Sequence, residues 1–212
     1  MTTDSPSSDE PECPWPQKGD QLFKADNDWW FNAAIDHWNK DFHSYAEGYK
    51  QAADIIIEYV KANPRGSRAP LDYLIFPVVF LYRQYIELRL KEIILIGNKL
   101  NHNNQGVPTH HRIDELWNQA KAILERDSAK KDDLDIVGGC IGEIAKIDPL
   151  STAFRYPTDK EGNRSITLEQ LLINIRHLHE VMARLASFLD ASSEYLLIQW
   201  QQLMAIEDYY RP

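Results

Sequence analysis

The sequence predicts an all-α fold, a single up-and-down-type bundle of five to six helices. Three observations carry that prediction. Apolar residues recur at steps of three and four over long stretches, which lines them along one face of a helix. Pro, Gly and Asn cluster between those stretches, where they stop helices. The composition, 43% hydrophobic and 11% aromatic over 212 residues, is enough to bury a core without disulfide or metal staples.

The chain opens with an expected flexible acidic tail over residues 1–20, rich in Pro, Ser and carboxylates. A single helical domain is expected over 21–212. Inside it, the stripe Trp30, Ala34, Trp38, Phe42, Tyr45, Tyr49, Ala53, Ile56 and Val60 predicts a first helix from about Asn27 to Ala62. Asp26 or Asn27 can cap it, and Asn63-Pro64-Arg65-Gly66 stops it, because proline disfavours helical geometry at the residue before it.

The second helix is expected from about Leu71 to Ile96. Pro70 suits its first turn, and Pro77 is expected to bend it or delay its start. It is oily on most sides, which places it at the bundle centre. Gly97 and the Asn-rich run after it are expected to end it. A third helix is expected from about Arg112 to Arg126, with Ile113, Leu116, Trp117, Ala120, Ile123 and Leu124 facing inward. A charged loop, Asp127 to Asp133, leads to a fourth from about Leu134 to Ile147. There Gly138, Gly139 and Gly142 weaken the helix and can admit a close neighbour.

Near residues 150–165 the pattern breaks into a short irregular loop or hairpin, with Phe154 and Tyr156 expected to tuck inward. The last long helix is expected to start near Leu168, with Thr167 and Gln170 as a capping box and the stripe Leu168, Leu171, Ile175, Leu178, Met182, Leu185 and Leu189 facing the core. Asp190 to Ser193 is read as an interruption before a final helix carrying Tyr195, Leu196, Ile198, Leu203 and Ile206.

Charge and cysteine content narrow the function. The net charge is −9, and four of the carboxylates sit in the first twelve residues with no Lys or Arg among them. The rest of the chain therefore keeps an excess of five negative charges. Broad attraction to nucleic acid or anionic membrane is not expected, and nucleic acid would bind only through a local basic pocket. The two cysteines, Cys13 and Cys140, form no CxxC pair. With no basic start followed by an apolar run at the N-terminus, a cytoplasmic location is expected. The oiliest run, Leu71 to Leu81, meets Arg83, Glu87, Arg89 and Lys91 before it could span a bilayer.

Three polar features stand out. Arg83, Glu87 and Lys91, spaced by four, share one face of an otherwise oily helix. Charges there must pair, hydrogen-bond or face water. They form either an ion-pair ladder that orders the bundle or the wall of a polar pocket. The loop Phe154-Arg155-Tyr156-Pro157 carries an arginine able to grip a phosphate or carboxylate in bidentate fashion, or to pin the loop internally. His111 precedes the third helix, and His177 and His179 lie on the last. Being two apart, the latter pair cannot share a helix face, and no HExxH or Cys/His cluster occurs. No metal site, cofactor or catalytic constellation is expected: GxGxxG, GxxxxGK[ST] and GxSxG are absent from the sequence. The candidate polar pocket is Arg83, Glu87, Lys91, His111, Arg155, Tyr156 and His179.

The order Tyr82-Arg-Gln-Tyr-Ile-Glu-Leu-Arg-Leu-Lys91, then His111-Arg-Ile-Asp-Glu-Leu-Trp117, then Phe154-Arg-Tyr-Pro-x-Asp159 resembles bacterial HEPN-like helical proteins over about residues 70–190. In that group an ELxLK-type helix is followed by a His-x-Leu-x-x-Leu-type helix. Active members of the superfamily are metal-independent ribonucleases, with an Arg followed four to six residues later by a His, usually at a dimer interface. This chain departs from that pattern. Arg176 is too close to His177 and His179, and Arg155 is followed at the right distance by Lys160. The resemblance thus implies a non-catalytic interaction or regulatory module in a bacterial stress, toxin–antitoxin or phage-defence system, working as a homodimer or with a partner protein. The alternative is a divergent ribonuclease or nucleotide-acting enzyme that uses an Arg/His pocket.

Overall fold

The structure is a computed structural model that describes residues 15–16, 18–35, 41–63, 68–103, 105–127, 129–166 and 172–210. It is all-α. Five helices follow one another: α1 (Phe42–Ala62), α2 (Arg68–Leu100), α3 (Ile113–Arg126), α4 (Lys131–Ile147) and α5 (Ile175–Tyr209). Two compact units divide the chain, Met1–Asp36 and His37–Pro212, and all five helices belong to the second.

In the first unit the described residues form no long helix. Trp29–Phe31 is a single 3-10 turn in which the rings of Trp29 and Trp30 stack with centroids 3.7 Å apart. The expected helix start at Asn27 is therefore wrong. Asp26 and Asn32 bond to each other instead, Asp26 N–H to Asn32 Oδ1 at 3.0 Å and Asn32 Nδ2 to Asp26 O at 2.7 Å. Such side-chain-to-backbone bonds offer the backbone an alternative to a helix. Trp38 lies outside the described residues. Helix α1 starts only where Asp41 Oδ1 accepts the Ser44 N–H at 2.8 Å, a normal N-cap. That bond holds the Asp41 carboxyl below the ordinary range. The expected stop at Pro64 and the capping pair Thr167 and Gln170 also lie outside the described residues, as do Leu168 and Leu171.

Helix α2 is the axis of the second unit. Its residues Tyr82, Arg83, Tyr85, Ile86, Glu87, Arg89, Leu90, Lys91, Glu92, Ile93 and Ile94 are all buried. It runs antiparallel to α1, since Asp54 meets Tyr82 while Glu47 meets Arg89. It is longer than expected at both ends. Pro77 sits inside it, and Gly97 does not end it. A Cβ at Gly97 would lie 2.5 Å from Ile123 Cγ2, so glycine there is the notch that seats α3. The turn comes later, at His102, whose φ is +50°.

Helix α4 begins at Lys131, three residues before the expected start, with Asp132 and Asp133 in its first turn, where the helix dipole favours acids. Gly138 supplies the expected close approach, because a Cβ there would lie 2.6 Å from Trp117 Nε1. Gly139 and Gly142 have open space instead. The segment after α4 is the expected irregular loop, closed by one isolated bridge between Thr158 and Arg164. Phe154 is buried against Val79 and Ala153, but Tyr156 is 56% exposed, contrary to expectation. Phe154 fills the apolar slot, leaving Tyr156 outside beneath the Arg155 guanidinium at 5.5 Å.

Helix α5 starts at Ile175, where Asn174 Oδ1 accepts from the N–H groups of Arg176 and His177. It continues unbroken through Asp190 to Ser193, where an interruption was expected. Asp190 is held by Tyr85, Ser192 Oγ donates to Phe188 O, and Ser193 Oγ donates to Glu92. With Asp190 and Ser193 engaged by α2, those two side chains do not compete for the local backbone, and Ser192 bonds within the helix to the carbonyl four residues back. Among the described residues no helix is long and apolar enough to cross a membrane.

Candidate functional site

Two polar clusters flank α2. The first is the predicted stripe. The Arg83 guanidinium, fully buried, makes four hydrogen bonds from its five N–H groups. Nε donates to Asp148 O at 3.0 Å, Nη1 to Glu87 Oε2 at 2.9 Å, and Nη2 to His111 O at 2.6 Å and Pro149 O at 3.4 Å. The Asp148 carboxylate lies 3.5 Å away, and its Oδ1 accepts the N–H groups of Thr152 and Ala153. Arg83 thereby ties α2 to the start of α3 and the end of α4.

Glu87 sits at the centre. Lys91 Nζ donates to its Oε1 at 2.9 Å, and His111 Nδ1 lies 2.7 Å from the same oxygen. Burial pushes this carboxyl upward, yet the bonds from Lys91, His111 and Arg83 prevail and hold it below the ordinary glutamate range. A carboxylate so placed orients the ring through Nδ1–H and leaves Nε2 as an acceptor. The His111 side chain is 60% exposed, while those of Arg83, Glu87 and Lys91 are buried.

Arg155 does not join them. Its Nε donates to Ser151 O, and its guanidinium lies 5.6 Å from the Phe80 ring centroid. Arg155 therefore pins its own loop, with its guanidinium 5.5 Å from the Tyr156 ring centroid. His179 belongs to the other cluster altogether. The predicted set thus splits: Arg83, Glu87, Lys91 and His111 come together, Arg155 and Tyr156 form a separate surface pair, and His179 stands apart.

The second cluster lies between α1, α2 and α5. Tyr82 Oη donates to Asp54 Oδ1 at 2.6 Å, and Lys50 Nζ donates to Asp54 Oδ2 at 3.1 Å. Lys61 Nζ is 2.7 Å from His179 Nδ1, and His179 Nε2 is 3.5 Å from Asp54 Oδ1. An ammonium only donates, so Nδ1 accepts and the ring carries its proton on Nε2, toward Asp54. Tyr85 Oη donates to Asp190 Oδ1 at 2.7 Å. Arg89, buried, faces three carboxylates: Glu92 at 2.6 Å, Asp190 at 2.9 Å and Glu47 at 3.8 Å. The contact to Asp190 comes from an Nε whose N–H is poorly aligned for a hydrogen bond. Burial first, then the bonds to Asp54 and Asp190, push both tyrosine hydroxyls far above the usual phenol range.

A cleft of about 230 Å³ opens here, lined by Lys50, Asp54, Tyr82, His179, Met182, Ala186 and Asp190 among others. Sequence reasoning found only His179 of these. The available signal was a second set of polar positions on α2, Tyr82, Tyr85 and Arg89, whose steps of three and four place them on one helix face beside the first set. Among the described residues no group of three or more His, Cys, Asp or Glu side chains is placed to hold a metal ion. No protein-family model, curated protein or solved structure matches the chain.

Proposed function

We propose that the chain is a non-catalytic HEPN-like interaction or regulatory module, acting as a homodimer or with a partner protein in a bacterial stress, toxin–antitoxin or phage-defence system. One observation carries the non-catalytic part. Arg83, the cation best placed on the shared helix, spends its guanidinium on internal oxygens. A phosphate-binding arginine must keep its fork free for the ligand. The other candidate groups lie at separate places, Arg155 and Tyr156 on the loop after α4 and His179 in the second cluster, so the set does not gather around Arg83.

The interaction part is supported by exposed apolar side chains on α1 and the start of α2: Ile55 at 69%, Tyr59 at 61% and Tyr73 at 72%. Tyrosine on an exposed helical face suits a protein interface. The setting and the dimer come from the family resemblance alone.

The enzyme reading keeps one favourable observation. His111 is an exposed imidazole backed by an ionised Glu87 at 2.7 Å, the arrangement of a general base. Incubation of the purified chain with single-stranded and hairpin RNA separates the two. The proposal expects intact RNA, together with a solution mass that rises to twice the chain mass with concentration. RNA cleavage that is lost in His111→Ala would replace the proposal with the enzyme reading. A monomeric mass at every concentration would remove the homodimer.

A further inference from the structure

We propose that the cleft between α1, α2 and α5 binds a small aliphatic primary ammonium compound, with Asp190 accepting its N–H groups. The inference does not depend on the HEPN-like reading, which concerns the opposite side of α2. It stands on a cavity, a charge balance and an open acceptor.

The cleft is about 230 Å³. A cavity of about 150 Å³ holds benzene, so by proportion this one takes roughly nine non-hydrogen atoms. Part of its wall is apolar, formed by Met182, Ala183 and Ala186, which suits a short methylene chain.

The charges around it do not cancel. Lys50 offsets Asp54, and Lys61 offsets Glu58. Arg89 alone stands against Glu92, Asp190 and Glu47. His43 Nδ1 is 2.9 Å from Arg89 Nη1 and His179 Nδ1 is 2.7 Å from Lys61 Nζ, so each of these ring nitrogens accepts from a permanent donor. Tyr82 and Tyr85 are held in their protonated forms. Arg89 is thus left with two more carboxylates than it can offset, and one of the three, Asp190, lines the partly desolvated cleft, where its charge favours a cation. Asp190 is the carboxylate that faces the cleft with room to act. Its side chain is 37% exposed, Oδ1 is engaged by Tyr85, and Oδ2 has no hydrogen-bond partner among the described residues. Lys50 and His179 line the same cleft, so a carboxylate on the same ligand could meet the Lys50 ammonium.

The test is titration calorimetry of the full chain with n-butylamine, 1,4-diaminobutane and 4-aminobutanoate, with butanoate as the anionic control at matched ionic strength. Saturable binding of at least one amine, and none of butanoate, is expected. Tighter binding of 4-aminobutanoate than of n-butylamine would assign the ligand as a zwitterion read by Lys50 as well, and the reverse order as a simple amine. Asp190→Asn should weaken binding about ten- to a hundredfold, the worth of a hydrogen bond to a charged group. Because Asp190 also holds Tyr85 and Arg89, a second variant is needed. Ala183→Phe fills the cleft from an exposed helical position and should abolish binding without lowering the melting temperature. Absence of saturable binding by every amine up to about 10 mM, equal binding of butanoate, or binding unchanged in both variants overturns the proposal.

Discussion

The two sides of α2 treat buried charge in opposite ways. On the side of α3 and α4, one arginine and one lysine meet Glu87, with backbone carbonyls from His111, Asp148 and Pro149 taking three more donors of the arginine. On the side of α1 and α5, one arginine meets three carboxylates, two of them about a third exposed. The first arrangement is closed, and it joins chain segments that are far apart in sequence. The second keeps unspent charge beside a cleft. Buried ions are held at a net cost unless every hydrogen-bonding group is met. The first cluster comes closer to that condition, with Asp148 Oδ2 left as a buried oxygen without a hydrogen-bond partner, and reads as architecture, whereas the second keeps a partly exposed carboxylate beside a cleft and leaves chemistry for a ligand.

That contrast predicts unequal costs. Arg83→Met should destabilise the fold by about 3–5 kcal/mol in urea unfolding, because Glu87 and three carbonyls lose their donor. Arg89→Met should cost clearly less, since water can reach Glu47 and Asp190. Equal losses would show that the two sides are not different in kind.

Glu87→Gln should be the next most costly change, and it carries a pH signature. The folded carboxyl lies below its ordinary value of 4.5. Its contribution is therefore present above that value and fades as pH falls through the lower folded one. The wild type should lose stability on acidification below about pH 4.5, and the variant should lose less over the same interval. Parallel pH profiles would mean that Glu87 is not the titrating anchor.

Tyr85→Phe removes one bond to Asp190 and should cost about 0.5–1.5 kcal/mol. It tests whether the open side tolerates loss of a partner. The smallest effect is expected for His111→Ala, under about 1 kcal/mol, because Arg83 and Lys91 still hold Glu87 and the ring is mostly in water. A larger loss would make His111 a structural member of the closed cluster.

Much of this was legible in advance, for definable reasons. The periodicity of α3 located it to within a residue at its start, because Leu116, Trp117, Ala120 and Ile123 repeat on one face. The closed cluster was legible because charges spaced by four on an oily helix have nowhere else to go. The helix starts were less so. Trp30 and Ala34 fit the spacing of α1, but the Asp26–Asn32 bonds broke the helix there. Asp190 to Ser193 read as a break because their isolated preferences disfavour helix interiors. Tyr85, Arg89 and Glu92, about a hundred residues away, bring the polar groups that satisfy two of these side chains.

Sequence alone determined that the chain is helical, that α2 lies at the centre and that Arg83, Glu87 and Lys91 share a face, since all three follow from spacing along one segment. Only the tertiary structure decided which oxygens take up Arg83, that Arg155 and His179 stand apart from it, and that a cleft opens beside Asp190. Those outcomes depend on which residues from distant segments arrive to satisfy a buried charge, and helical periodicity holds no record of the partner across the core.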